Sequence, residues 1–191
     1  MSDFLSLIFA TALLNNIVLV QVTGVSALFA FSTQLRQALD LALYSVAILS
    51  SAIFLASLLD RLVLVPLGLE FLRLLGFLAI SCALSTVLAM LIRQKLPITA
   101  RRAGVALLLA GANSAVIGGA LILSETAASL SQSLAYSLGY GLGFALLLIV
   151  FAAFRQRLSQ ARVPAMFRGP AVELISAGLV ALALTGLSGA N

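Results

Sequence analysis

Apolar residues run through this chain in stretches long enough to cross a membrane, and short polar clusters punctuate them. A spanning helix needs about 20 mostly apolar residues. Six stretches meet that requirement: 4–31, 39–59, 71–92, 103–123, 134–154 and 171–187. Ser32-Thr33-Gln34 closes the first, and Asp60-Arg61 with Pro66-Leu67-Gly68 closes the second. Arg93 to Arg102, containing Pro97, closes the third; Ser124-Glu125-Thr126 closes the fourth; Arg155 to Pro170 closes the fifth. Lipid offers the backbone no hydrogen-bond partners, so these spans are expected as helices. The predicted fold is all-α: a polytopic membrane protein with six transmembrane helices in one integral membrane domain, residues 1–191.

The first stretch departs from the pattern. "LLNNIVLVQVTGVSALFAF" (13–31) places Asn15 and Asn16 inside an otherwise apolar run, followed by Thr23-Gly24 and Ser26. On a straight helix Ser26 would lie about 33 Å from the start, at the far membrane boundary. A break near Thr23-Gly24 would keep it inside. The fourth stretch holds a comparable passage, "AGANSAVIGGA" (110–120), whose glycines predict close packing or a bend. The first and fourth helices are therefore expected to be broken.

The two passages also align. "LLNNIVL" (13–19) matches "GANSAVI" (111–117), setting Asn15 on Asn113 and Asn16 on Ser114. "PLGLEFLRLLG" (66–76) echoes "PAVELISAG" (170–178). An offset of three helices inverts the second copy, giving repeats of about 1–97 and 98–191. Inverted repeats place sites near the bilayer midplane, often on discontinuous helices. Asn15 lies about 16 Å into its helix, close to half of a ~30 Å hydrocarbon core.

Composition and charge sharpen the picture. The chain is 62% hydrophobic and 9% charged, too few polar groups to cover a soluble globule. Nine of eleven Lys and Arg residues fall in the loops after the first, third and fifth spans; only Arg61 and Arg73 lie elsewhere. By the positive-inside rule those loops are cytoplasmic and both termini face outward. The same scatter argues against a nucleic-acid patch. Asp3 and the lack of a basic leader region make the first segment a retained helix rather than a cleaved signal.

Candidate chemistry is sparse. The chain has no histidine and a single cysteine, Cys82, which excludes a disulfide framework and any multi-cysteine site built by this chain alone. Asn15, Asn16 and Asn113 should face protein or a wet cavity, because a bare carboxamide in lipid is unfavourable. They serve either as helix–helix glue or as the lining of an ion path or buried redox centre. Glu70 and Glu173 sit near helix N-termini, where a carboxylate suits the dipole. Tyr44 and Tyr136 read as near-interface aromatics, and "GYGLGFA" (139–145) as a small-residue packing face.

"LLNNIVLVQ", "NSAVIGGAL" and above all "FAAFRQRLSQARVPAMFRGPAVELISAGLVALALTGLSG" (151–189) resemble the A subunit of the Rnf electron-transport complex. The E subunit of the sodium-pumping NADH:quinone reductase is similar. The resemblance covers essentially the whole chain. It implies a six-helix subunit of the bacterial inner membrane, with both termini periplasmic and paired with a homologous, oppositely oriented E-type subunit. It further implies a complex coupling electron transfer to Na⁺ or H⁺ movement, in which this subunit is not catalytic alone. A [2Fe-2S] cluster held by two cysteines from each of the paired subunits is also implied. Here both ligand positions are serine: the family's Leu-Gly-Leu-Cys-Pro is Thr23-Gly24-Val25-Ser26-Ala27, and its Asn-Cys-Ala-Val is Asn113-Ser114-Ala115-Val116. Ala89 stands where the family tends to carry glutamate. Iron–sulfur clusters are held by soft, readily deprotonated thiolates, so two serines are expected to forfeit the usual cluster. That leaves a divergent paralogue, a structural component, or a hydrated ion path lined by the serines and asparagines. A stand-alone inverted-repeat transporter and a pure scaffold remain as alternatives.

Overall fold

The computed structural model describes residues 2–21, 23–32, 35–95, 110–126, 129–160 and 169–188. These residues form helices and turns, with no strand among them. Helix α1 (Ser2–Phe9) runs into a π-helical turn, Ala10–Leu14. Two short helices follow, α2 (Ile17–Val20) and α3 (Val25–Phe31). Helix α4 (Leu35–Leu59) continues as a second π turn, Asp60–Leu64. Helix α5 is Arg73–Lys95, α6 is Ser114–Thr126, α7 is Leu130–Gln160 and α8 is Pro170–Ser188.

Four stretches among the described residues are long and apolar enough to cross a membrane: Asp3–Val20, Leu35–Leu64, Glu70–Lys95 and Leu130–Gln160. Helix α6 is apolar but shorter. Residues 103–109, the first part of the expected fourth span, lie outside the described residues. Large apolar side chains such as Leu43, Phe71, Leu75 and Leu182 are exposed, as a lipid-facing surface requires.

Helices α4 and α7 form the centre. Leu41, Ile48, Leu49 and Ile53 of α4 and Phe144, Leu147, Leu148 and Phe151 of α7 are buried in one cluster. Between lipid-solvated helices there is little hydrophobic driving force, so close approach must come from small residues. The glycines of "GYGLGFA" provide it. A methyl group at Gly143 would sit 2.7 Å from Asn16 Nδ2 and 2.8 Å from the Ala12 carbonyl. One turn earlier, a methyl at Gly139 would sit 2.6 Å from Thr11 Cβ. Gly141 faces the other way, onto Ser50 and the Val46 carbonyl of α4. The expected small-residue packing face is present, and it seats the π turn of the first segment.

The helices outrun several boundaries expected from the sequence. The α-helix ends at Leu59, and Asp60, whose carboxylate is neutralised in place, opens the π turn that carries the second span to Leu64, just before the expected close at Pro66-Leu67-Gly68. Arg73 Nε donates to Asp60 Oδ1 at 2.6 Å and Nη2 donates to Oδ2 at 3.2 Å. Asp60 is only 2% exposed. Glu70 lies 3.4 Å from Arg73 as well, so it is an ion-pair partner and not only a carboxylate near a helix start. Helix α4 also begins at Leu35, which puts Asp40 in its second turn.

Removing one partner of a buried pair strands the other. Arg73→Met should lower stability by about 3 kcal/mol, and the double variant Asp60→Asn/Arg73→Met should recover much of the loss. Thermal unfolding in detergent checks this; equal stability of wild type and Arg73→Met would contradict it.

Candidate functional site

The first segment breaks twice. At the first break the Asn15 N–H donates to the Ala10 carbonyl at 2.8 Å, closing the π turn. Asn16 leaves helical geometry, with φ −63° and ψ 123°. Its side chain then joins the two helix ends. Nδ2 donates to the Ala12 carbonyl at 2.8 Å, and Oδ1 accepts from the Val18 N–H at 3.0 Å. A freed acceptor and a freed donor are satisfied by one carboxamide, as an N-cap asparagine can do. Asn16 is 2% exposed.

The second break follows α2. The Thr23 hydroxyl donates back to the Ile17 carbonyl at 3.1 Å. Gly24 adopts φ +80°, a left-handed conformation that favours glycine, and starts α3. The break expected near Thr23-Gly24 is there, and Ser26 lies in the first turn of α3.

The fourth segment supplies the counterpart. A turn at residues 110–112 leads to Asn113, whose Oδ1 accepts from the Ala115 N–H at 3.1 Å. This is the cap that Asn16 makes, two residues on in each case. Asn16, not Asn15, therefore shares its local role with Asn113, one position from the expected alignment. Gly111 is pinned from α5, where the Ser81 hydroxyl donates to its carbonyl. Asn113 is buried, and its Nδ2 has no hydrogen-bond partner among the described residues.

The breaks meet. The Gly24 N–H donates to Ser114 Oγ at 2.9 Å. A methyl group at Gly24 would lie 2.9 Å from Ala115 Cβ, 3.0 Å from Asn113 Oδ1 and 3.1 Å from the Phe144 ring. Only a bare α-carbon fits. Ser26 and Ser114 lie in the first turns of the two helices that this hydrogen bond joins, α3 and α6, and both residues are exposed. Asn15 is separate. It is exposed and lines a cavity with Gln21, Thr126, Tyr136 and Tyr140 on the other side of the first break.

The far end of α3 is tied down by Arg155 of α7. Its Nη1 donates to the Phe29 carbonyl and to Ser32 Oγ, both at 2.9 Å, and Nε lies 3.0 Å from Glu173 Oε1 of α8. Glu173 therefore has a cationic partner beyond its place near a helix start. Cys82 is exposed on α5, and Ala89 of the same helix is buried. Sequence reasoning did not single out Arg155, Gln21 or Tyr140. For Arg155 the signal was the first basic residue after the fifth span; for Tyr140 it was the tyrosine pair at i, i+4 in "YSLGYGLG".

Comparison with known proteins fits this geometry. A family model described as "Rnf-Nqr subunit, membrane protein" matches residues 4–190. The chain is 38% identical over 189 residues to a protein of Escherichia fergusonii that is named as the A-type component of the ion-translocating oxidoreductase complex. The match covers 99% of this chain and 98% of that protein. Proteins of the same name from Escherichia coli and Shigella boydii match with the same identity and coverage.

If the break-to-break seat holds the core together, its glycine is irreplaceable. Gly24→Ala should destabilise the chain by about 2–4 kcal/mol, through backbone strain and overpacking together. Gly178→Ala, where a methyl group would meet nothing within 4 Å, should be near neutral. Parallel thermal melts decide; equal effects would contradict the seat.

Proposed function

Because the chain belongs to the Rnf-Nqr family of membrane subunits, we propose that it is the A-type membrane component of an ion-translocating oxidoreductase complex. The observation that carries this is 38% identity sustained over 99% of the chain with relatives of that name. Its activity is the complex's: electron transfer drives Na⁺ or H⁺ across the bacterial inner membrane, and this subunit is not catalytic alone.

The finer architecture belongs to the same proposal. Six spans in two inverted three-helix repeats, with both termini periplasmic, are supported by nine basic residues after odd-numbered spans. The matching caps of Asn16 and Asn113 support the repeat. The partner is the homologous subunit of opposite orientation. Exposed Ser26 and Ser114 offer a surface on which such a partner could close.

The reading extends to the metal. A thiolate-held [2Fe-2S] cluster does not suit the donors at these positions. Serine oxygen is hard and far less acidic than a thiol, and Ser114 Oγ already accepts from the Gly24 N–H. On these donors no electron step passes through Ser26 or Ser114. The chain's part is to hold two helix breaks together at the face shared with its partner.

Affinity purification of the tagged chain should bring down Rnf-type membrane subunits; recovery of this chain alone would overturn the complex. In that preparation, iron and acid-labile sulfide content should be unchanged by Ser26→Ala or Ser114→Ala. Loss of a [2Fe-2S] resonance in either variant would show that the serines do hold a cluster.

A further inference from the structure

The cavity that Asn15 lines plays no part in joining the breaks. It measures about 170 Å³ and lies between the end of the first π turn, α2, the end of α6 and the start of α7. Its polar lining is Asn15, Gln21, Thr126, Tyr136 and Tyr140; the remaining lining residues are aliphatic, with no charged one among the described residues. Pockets for drug-sized molecules begin at about 300 Å³, so this one suits an ion with a few waters.

Three features give the cavity a sign. First, helix C-termini converge on it. Asn15 is the C-cap of the π turn, Gln21 is the C-cap of α2, and Thr126 is the last residue of α6. A helix C-terminus leaves backbone carbonyls without intrahelical partners and carries the negative end of the peptide dipoles, which favours a cation. Secondly, the Thr126 hydroxyl hydrogen is committed to the Ile122 carbonyl at 2.7 Å, so its oxygen offers lone pairs. Thirdly, Tyr140 is only 5% exposed and lines the cavity, and no hydrogen bond to another described residue occupies its hydroxyl. A buried phenol normally finds a partner, and this one reaches the cavity.

The donors decide which cation. Two carboxamides and three hydroxyls are hard, neutral oxygens. Divalent calcium sites rely on carboxylates, and transition metals on imidazole or thiolate. Broken-helix C-terminal ends with neutral oxygens are a setting for alkali ions. We propose that the cavity lined by Asn15, Gln21, Thr126, Tyr136 and Tyr140 binds a monovalent alkali cation and is a station for the transported ion. The second clause rests on the ion-translocating reading above.

Tyrosine reports on the site directly, since the chain has three tyrosines and no tryptophan. The full-length chain in detergent is titrated with sodium chloride against choline chloride at fixed ionic strength, and tyrosine emission is followed. A saturable change is expected, retained in Tyr44→Phe. In Tyr140→Phe and in Gln21→Leu the midpoint should rise about tenfold, the cost of one lost ligand. Gln21 is exposed, so its variant should fold even if Tyr140→Phe does not. No saturable change in the wild-type chain, or an unshifted midpoint in both variants, overturns the site. Sodium-dependent transport by the reconstituted complex separates the two readings. If the wild-type complex transports and Tyr140→Phe leaves its half-saturating sodium unchanged, the station fails while the complex stands. If the wild-type complex moves no ion, the translocation reading fails and the station with it.

Discussion

Breaking a helix inside hydrocarbon frees amides and carbonyls that lipid cannot satisfy, and everything in this fold is arranged around that constraint. The chain breaks its first segment twice and turns in its fourth just before α6. At Asn16 and at Asn113 a carboxamide takes up backbone groups that the following helix leaves open. Asn16 serves an acceptor on one side and a donor on the other; Asn113 serves the donor that starts α6. The remaining amide at Gly24 is satisfied across the fold by Ser114. The two passages are therefore joined through Gly24 and Ser114.

Packing follows from the same requirement. The broken segment must lie close against α7, or its capped ends would meet lipid. Glycines at 139 and 143 allow the π turn to approach at backbone distance. Arg155 donates to the Phe29 carbonyl of α3 and to Ser32 Oγ and pairs with Glu173, so α8 is drawn to the same element. What is left open is instructive. Ser26 and Ser114 remain on the surface where a partner can cover them, while the helix C-termini gather round a small polar cavity on the other side.

The sequence announced the breaks but not their partners. The Thr-Gly pair inside an apolar run was legible as a break, whereas the asparagine pair read as glue or a lining and not as an interruption of the helix. The pairing of Asn16 with Asn113 by role was missed by one position, because alignment weighs identities and capping depends on the residue that leaves the helix. The ion pair beyond the end of α4 was not legible, because only the fold shows Arg73 of the next helix neutralising Asp60. The cavity was illegible. Its residues come from three segments, and although the tyrosine pair at 136 and 140 is visible in the chain, nothing in it places Gln21 or Thr126 beside that pair.

The meeting of the two breaks is the central claim, and a cross-link tests it most directly. A methyl group at Gly118 would stand 3.5 Å from Thr23 Cβ, within the ordinary span of a disulfide. In a Cys82→Ala background, Thr23→Cys/Gly118→Cys should oxidise to an intrachain disulfide under mild conditions, losing both free thiols to alkylation. If both cysteines stay fully alkylatable in the folded protein after oxidation, the breaks do not meet and the account is wrong at its foundation.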